Sequence, residues 1–127
     1  EVQSWEAAMY APAKQVDNIV AIVDYDKKQI DGPTDDVLSL GDLRAKYESF
    51  GWKVWECNGN DMQELVDTFN KIRENAHKGQ SQILLARTEM GMGVDFMMGT
   101  HKWHGVAPND EQAANALSQL KETLGDY

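Results

Sequence analysis

The chain has little cysteine, few basic residues and no long apolar run. Its one cysteine among 127 residues, Cys57, permits no disulfide within the chain, which favours a reducing cytoplasm. Asp and Glu number 21 against 12 Lys and Arg, so the net charge is −9. Because nucleic acids and anionic membranes are bound through basic patches, this balance argues against both as partners. No apolar run approaches about 18 residues, so the sequence predicts neither a transmembrane helix nor a signal peptide.

Helical patterns alternate with short apolar runs along the chain. The segments with helical spacing are residues 1–12, 43–50 (capped by Gly51), 61–79, and the stretch from 109 onward. The short apolar runs that predict strands are residues 18–24, 52–57 and 83–86. This alternation predicts an α/β fold, a partial parallel sheet with flanking helices. Three strands form an incomplete layer, so we expect further elements from the same chain or from a partner.

Capping residues and apolar stripes define the two clearest helices. The pairs with the spacing of a capping box are Asp61 with Glu64 and Asn109 with Gln112. The stripe predicted to face the core in the first helix is Met62, Leu65, Val66, Phe69 and Ile72. In the last helix it is Ala113, Ala116, Leu117, Leu120 and Leu124. Cys57 is predicted to be a small core residue, residues 32–40 a loop, and His77 a solvated residue at a helix end.

Acidic residues follow the first predicted strand. Residues 19–23 are apolar, and the polar turn after them carries Asp24, Asp26 and Asp31. In open α/β sheets, ligands bind beyond the carboxyl ends of the strands. Carboxylate oxygens suit a hard divalent cation, which usually accompanies a phosphate. A second candidate region is residues 88–109, a Gly- and Met-rich stretch without periodicity that is long enough to indicate function.

These segments also carry a family resemblance. VDYDKKQIDGPT at residues 23–34 resembles the second half of the thiamine-diphosphate motif of transketolases. Four more segments match in order: WEAAM at 5–9, SFGWKVWECNGND at 49–61, ARTEMGMGVDFM at 86–97 and KWHGVAPND at 102–110. The resemblance implies that residues 1–127 form a single partial domain, the C-terminal half of a thiamine-diphosphate-binding domain. The chain resembles the N-terminal subunit of split transketolases. The Gly-Asp-Gly triplet that opens the family motif would fall just before Glu1.

The resemblance implies roles for four residues. Asp26 occupies the position of a metal-binding Asn, and Lys28 the position of a backbone carbonyl that binds Mg²⁺ or Ca²⁺. Ile30 matches a residue that packs against the thiazolium ring of thiamine diphosphate. His104 matches a histidine beside the diphosphate and the substrate, where it can neutralise charge or assist proton transfer. The alternative interpretations are that Asp26 is a turn residue and Ile30 an ordinary core residue.

Other positions depart from the family pattern or point elsewhere. Met90 and Met92 replace the lysines of a family K-G-K-G segment, so the loop faces a partner or folds into its own core. His101 and His104 form a His-x-x-His pair, but no Cys or Glu companion supports a transition-metal site. Glu1 aligns with a glutamate at the family's dimer interface, and Val2 replaces the glycine that follows it.

Three functions compete at this point. The resemblance implies a portion of a transketolase subunit, for two-carbon ketol transfer between sugar phosphates in the cytoplasm. Its partner would be a second subunit carrying the pyrimidine-binding domain, in a homo- or hetero-oligomer, and the chain alone would be inactive. The second function is a non-catalytic interaction or remnant protein that folds on a partner. The third is a sister thiamine-diphosphate enzyme such as deoxyxylulose-phosphate synthase, which the segment at 103–109 fits less well.

Overall fold

A computed structural model describes residues 2–121 of the protein as two units. The sheet unit comprises the chain through Tyr25 together with Leu40–Thr88. The loop unit comprises Asp26–Ser39 and the chain from Glu89 onward. In chain order the elements are α1 (Val2–Ala13), β1 (Val20–Tyr25), β2 (Lys28–Gln29), β3 (Gly32–Pro33), α2 (Thr34–Leu38), α3 (Leu43–Phe50), β4 (Lys53–Asn58), α4 (Met62–Glu74), β5 (Gln82–Arg87) and α5 (Asp110–Gln119). None of the described helices is long and apolar enough to cross a membrane.

A parallel three-stranded sheet organises the sheet unit. The strand order is β1-β5-β4, with Val20 and Lys53 both opposite Gln82 on the central strand. Residues 82–86 of β5 are all buried because the strand has a neighbour on each side and helices on both faces. The predicted α/β class, a parallel sheet with flanking helices, is confirmed.

The two faces of the sheet carry separate apolar clusters. The cluster on the side of α1 and α3 is built on Leu43, Trp52, Val54, Ile83 and Leu85. The cluster on the side of α4 is built on Cys57, Ile72, Leu84 and Ala86. Cys57 is therefore a core residue, as predicted, and Gly51 ends α3 in the left-handed conformation expected of a helix cap.

Helix α4 differs from its prediction in length and in orientation. It ends at Glu74, capped by Asn75, rather than near residue 79. Of the predicted stripe, Leu65 and Ile72 contact the sheet, with Thr68 buried between them. The other three members, Met62, Val66 and Phe69, are exposed. The five residues span a wider arc of the helix than one sheet face covers, so periodicity alone does not select the buried edge.

The capping box predicted for α4 is half formed. The Asp61 carboxylate accepts the backbone N–H of Glu64 at 3.0 Å, as expected. The Glu64 carboxylate instead accepts the N–H of Asn58 at 2.9 Å, while the N–H of Asp61 bonds to the Asn58 carbonyl at 3.2 Å. The Asp61 N–H, which would bond to the Glu64 side chain in a full capping box, is therefore bonded within the tight turn after β4.

The loop unit contains a hairpin, a short helix and a long irregular stretch. Residues 32–40, predicted as a loop, contain β3 and α2, and two acidic residues in the first turn of α2 favour the helix through its dipole. Residues 88–109 contain no helix or strand, as predicted. Helix α5 begins with the full capping box of Asn109 and Gln112. Ala116 is buried, but Leu117 and Leu120 are exposed, and Leu124 lies outside the described residues.

Candidate functional site

Asp24 and Thr88 join the ends of β1 and β5. The Thr88 hydroxyl donates a short hydrogen bond to Oδ1 of Asp24. The predicted cluster of acidic residues is therefore not one cluster: within residues 2–121, no group of three or more His, Cys, Asp or Glu could hold a metal ion. The Asp24 carboxylate is engaged by Thr88, and the other polar residues of this turn are the candidates for a site.

Asp26 and Lys28 begin the acidic hairpin, which we define as residues 26–33. Oδ1 of Asp26 accepts the backbone N–H of Lys28 at 2.9 Å, an Asx turn that orients the carboxylate along the chain. Lys27, between them, takes a left-handed conformation with φ of 58°. The Lys27 carbonyl accepts the N–H of Thr34 at 2.9 Å, which closes the hairpin.

The pairing of β2 with β3 fixes the direction of the Lys28 peptide groups. Lys28 lies opposite Pro33, which has no N–H to donate. The hydrogen bond from the Thr34 N–H to the Lys27 carbonyl lies next to the pair of Lys28 and Pro33. In an antiparallel ladder, this position identifies Lys28 and Pro33 as a non-hydrogen-bonded pair. The N–H and C=O of Lys28 therefore point away from β3, and the N–H reaches Asp26. The Lys28 carbonyl and the Asp26 carboxylate thus lie on the same side of the hairpin.

Ile30 and His104, the other two predicted site residues, are both exposed. Ile30 at the hairpin tip is 64% exposed, so it is not a core residue of the described chain, contrary to the alternative interpretation. His104 lies in a turn in which its N–H donates to the His101 carbonyl at 3.0 Å. Trp103 anchors that turn, since its indole N–H donates to the Phe96 carbonyl at 3.0 Å and the two rings meet edge to face. Trp103 thus fixes the backbone on which the exposed His104 side chain is carried.

The methionine segment, residues 90–98, is partly folded into its own unit. Val94 is buried, whereas Met92 and Met98 are exposed. Gly91 has φ of 71°, and a Cβ there would lie 2.5 Å from Cβ of Met97. The segment is therefore a defined turn that needs glycine, and neither of the two interpretations of its methionines describes it fully.

One ion pair links the acidic hairpin to the chain around the methionine segment. Nζ of Lys28 lies 2.5 Å from Oε1 of Glu89, and the Lys28 side chain is only 14% exposed. The same oxygen accepts the backbone N–H of Gly99 at 2.8 Å. The hydrogen bonds from Lys28 and Gly99 hold the pKa of the Glu89 carboxyl below its usual value. The sequence did not indicate this contact. Lys28 and Glu89 carry opposite charges, but they lie far apart along the chain and no sequence pattern pairs them.

A second charged group was also missed, at the ends of β4 and β5. Glu56 accepts a hydrogen bond from Nε of Arg44 at 2.6 Å and a short one from Arg87. The Arg44 guanidinium, with Arg87, holds the pKa of the Glu56 carboxyl below its usual value. These strand ends line a cavity of 540 Å³ formed by Glu56, Cys57, Asn58, Glu64 and Arg87.

The donor atoms of the acidic hairpin fit a hard divalent cation. A carboxylate oxygen and a backbone carbonyl oxygen are ligands that Mg²⁺ and Ca²⁺ both accept. They supply two of the six or more ligands that such a cation takes, so phosphate oxygens or other groups would have to complete the shell. The hairpin thus offers two oxygen donors and not the complete ligand set of such a cation.

Comparison with known proteins identifies the family. A family model described as transketolase, thiamine diphosphate binding domain, matches residues 1–125. One subunit of the apulose-4-phosphate transketolase of Actinobacillus succinogenes is 38% identical over 122 residues, covering 96% of this chain and 43% of that protein. A 6-deoxy-6-sulfo-D-fructose transketolase subunit of a Clostridium species is 32% identical, and the match covers 96% of this chain and 44% of that protein. The chain thus spans less than half the length of these relatives.

The fold comparison agrees. The crystal structure of transketolase from Campylobacter jejuni matches with a TM-score of 0.83 over 94% of this chain and 18% of that chain. Its sequence is 24% identical, so the match bears on the fold. Together with the family match, it confirms the resemblance stated from the sequence.

Proposed function

The chain belongs to the transketolase family of thiamine-diphosphate-binding domains, and we propose that it serves as part of a transketolase subunit. In this role it helps to bind thiamine diphosphate and its divalent cation, for two-carbon ketol transfer between sugar phosphates. The observation that carries the proposal is the acidic hairpin, with the Asp26 carboxylate and the Lys28 carbonyl on one side.

Four residues have distinct roles in this function. Asp26 and the Lys28 carbonyl bind Mg²⁺ or Ca²⁺, and Asp26 adds a negative charge where the family has a neutral amide. When bound, thiamine diphosphate supplies the carbanion chemistry. Ile30, exposed at the hairpin tip, packs against the thiazolium ring. His104 donates a hydrogen bond to a diphosphate oxygen or moves a proton to or from the substrate.

A second subunit completes the proposed site. It carries the pyrimidine-binding domain, and the assembly is a homo- or hetero-oligomer of the cytoplasm. Relatives that are named as single subunits of apulose-4-phosphate transketolases support this arrangement, since such a name implies another subunit in those proteins. We expect the 127-residue chain alone to show no ketol transfer, because half-sites of this kind leave the cofactor without its second set of contacts.

Cofactor binding by the complete assembly tests the proposal. Isothermal titration of Mg²⁺ in the presence of thiamine diphosphate gives the cation affinity of the wild type and of variants. Asp26→Ala removes a direct ligand, so it should cost at least the roughly 10- to 100-fold that loss of an outer-shell partner costs. Asp26→Asn keeps an oxygen ligand and should retain most of the affinity.

The matched control is Asp36→Ala, which removes an exposed carboxylate of the same unit from α2. It should leave the cation affinity unchanged. Absence of any cofactor-dependent binding by the wild type would reject the proposal and favour a non-catalytic interaction protein. Equal affinity of wild type and Asp26→Ala would remove Asp26 from the site.

A further inference from the structure

Glu89 is bonded to both chain segments of the loop unit through one oxygen atom. Its Oε1 accepts from Nζ of Lys28 at 2.5 Å and from the backbone N–H of Gly99 at 2.8 Å. Lys28 belongs to the acidic hairpin, and Gly99 immediately follows the methionine segment. A single carboxylate therefore ties the hairpin to the two ends of the stretch between residues 89 and 99.

The residue that Glu89 holds contributes its backbone to the proposed cation site. The Lys28 N–H bonds to Asp26, and its carbonyl lies on the same side of the hairpin. The hairpin itself is small, with two pairs of opposed residues between β2 and β3. Such a short ladder is marginal by itself, so the side chain of Lys28 is a second anchor for the direction of its carbonyl.

We propose that Glu89 is a positioning residue for the cation site. By fixing the Lys28 ammonium, it holds the Lys28 carbonyl beside the Asp26 carboxylate, and it couples this geometry to the fold of the methionine segment. Glu89 does not itself bind the cation. The inference rests on the proposed function, since it assigns a support to that same site.

Glu89 also neutralises a positive charge close to the site. An unpaired Lys28 ammonium would repel a divalent cation, and its low exposure limits screening by water. Charge and position therefore both favour cation binding when Glu89 is present. The two effects are separable, because removal of either partner breaks the anchor but the two removals change the local charge in opposite directions.

The test is a double-mutant cycle read as cation affinity. Mg²⁺ is titrated into the complete assembly with thiamine diphosphate, for wild type, Glu89→Gln, Lys28→Met and the double variant. Positioning predicts that each single change weakens Mg²⁺ binding by roughly 10- to 100-fold, as for other outer-shell groups. It also predicts that the double variant has an Mg²⁺ affinity no lower than that of the more weakly binding single variant. The reason is that either single substitution already breaks the ion pair, so the second has no anchor left to remove.

A control and a second measurement keep the outcomes distinct. Glu111→Gln removes one exposed carboxylate from the same unit and should leave the affinity unchanged. The rate of proteolysis after Lys102 without cation should rise in Glu89→Gln but not in Glu111→Gln, because the Gly99 bond is weakened.

The following results would overturn the inference. Tighter binding by Lys28→Met together with weaker binding by Glu89→Gln would mean that charge alone acts. Unchanged affinity in Glu89→Gln would remove the residue from any supporting role. Failure of the wild type to bind Mg²⁺ with thiamine diphosphate would instead reject the proposed function, and with it the premise of this inference.

Discussion

Trp52 supplies a hydrogen bond that a proline inside α1 leaves unmade. Pro12 lies within the helix and has no N–H, so the carbonyl of Ala8, four residues earlier, lacks its usual helical donor. The indole N–H of Trp52 donates to that carbonyl at 2.7 Å, and both Ala8 and Trp52 are buried. We therefore predict that Trp52→Phe leaves a buried carbonyl without a donor.

The magnitude follows from two contributions. A buried acceptor left without a partner costs about 1–3 kcal/mol of unfolding free energy. The smaller ring also leaves space beside Tyr47, whose ring meets Trp52 edge to face at 5.8 Å between centroids. We expect a total loss of about 2–4 kcal/mol, which urea unfolding monitored by circular dichroism would measure.

A second substitution isolates the hydrogen bond. Pro12→Ala restores an N–H at position 12 that can donate to the Ala8 carbonyl along the helix. In that background, Trp52→Phe should cost about 1–2 kcal/mol less than in the wild type, because the carbonyl keeps a partner. An equal cost in both backgrounds would refute the reasoning and leave packing as the whole role of Trp52.

Two further predictions concern charge and chemistry. Because the pKa of Glu56 is lowered mainly by Arg44, its stabilising contribution is present at neutral pH and is lost as the pH falls from the ordinary range of glutamate through the lowered pKa of this carboxyl. In Glu56→Gln, the unfolding free energy measured by urea unfolding should fall less steeply with decreasing pH in the acidic range. A pH dependence equal to that of the wild type would contradict this. His104→Ala should lower ketol-transfer turnover of the complete enzyme roughly 100-fold or more, whereas His77→Ala, at an exposed histidine of the sheet unit, should have little effect. Equal effects would remove His104 from the site.

The elements that were predictable are those whose signal is local. The buried run at 83–86 has no polar residue, and it is the central strand. The box of Asn109 and Gln112 lies within four residues, and both of its hydrogen bonds are present. Helix α2 was missed because five residues are too few to show a helical period, and Pro33 at its N-terminus provides no capping side chain.

The candidate site was predictable only where a family motif stands in the sequence. Asp26 and Lys28 follow from that motif, and the side of the hairpin that they share follows from the pairing with Pro33. The anchor through Glu89 could not be predicted, because Glu89 and Lys28 lie 61 positions apart in the sequence. An ion pair between distant loops depends on the whole fold, whereas caps and turns depend on neighbouring residues.

Several apolar residues of the predicted strands and helices are exposed. Ile22 of β1 is 58% exposed, although parallel strands are usually covered on both faces. Met62 and Val66 of α4 and Leu117 of α5 are likewise apolar and exposed. No described element covers these side chains, and on α4 the wide arc of the apolar stripe accounts for part of that exposure. The expectation that further elements or a partner cover this sheet therefore remains a prediction, and the backbone amides near these side chains are where protection from hydrogen exchange should increase on assembly.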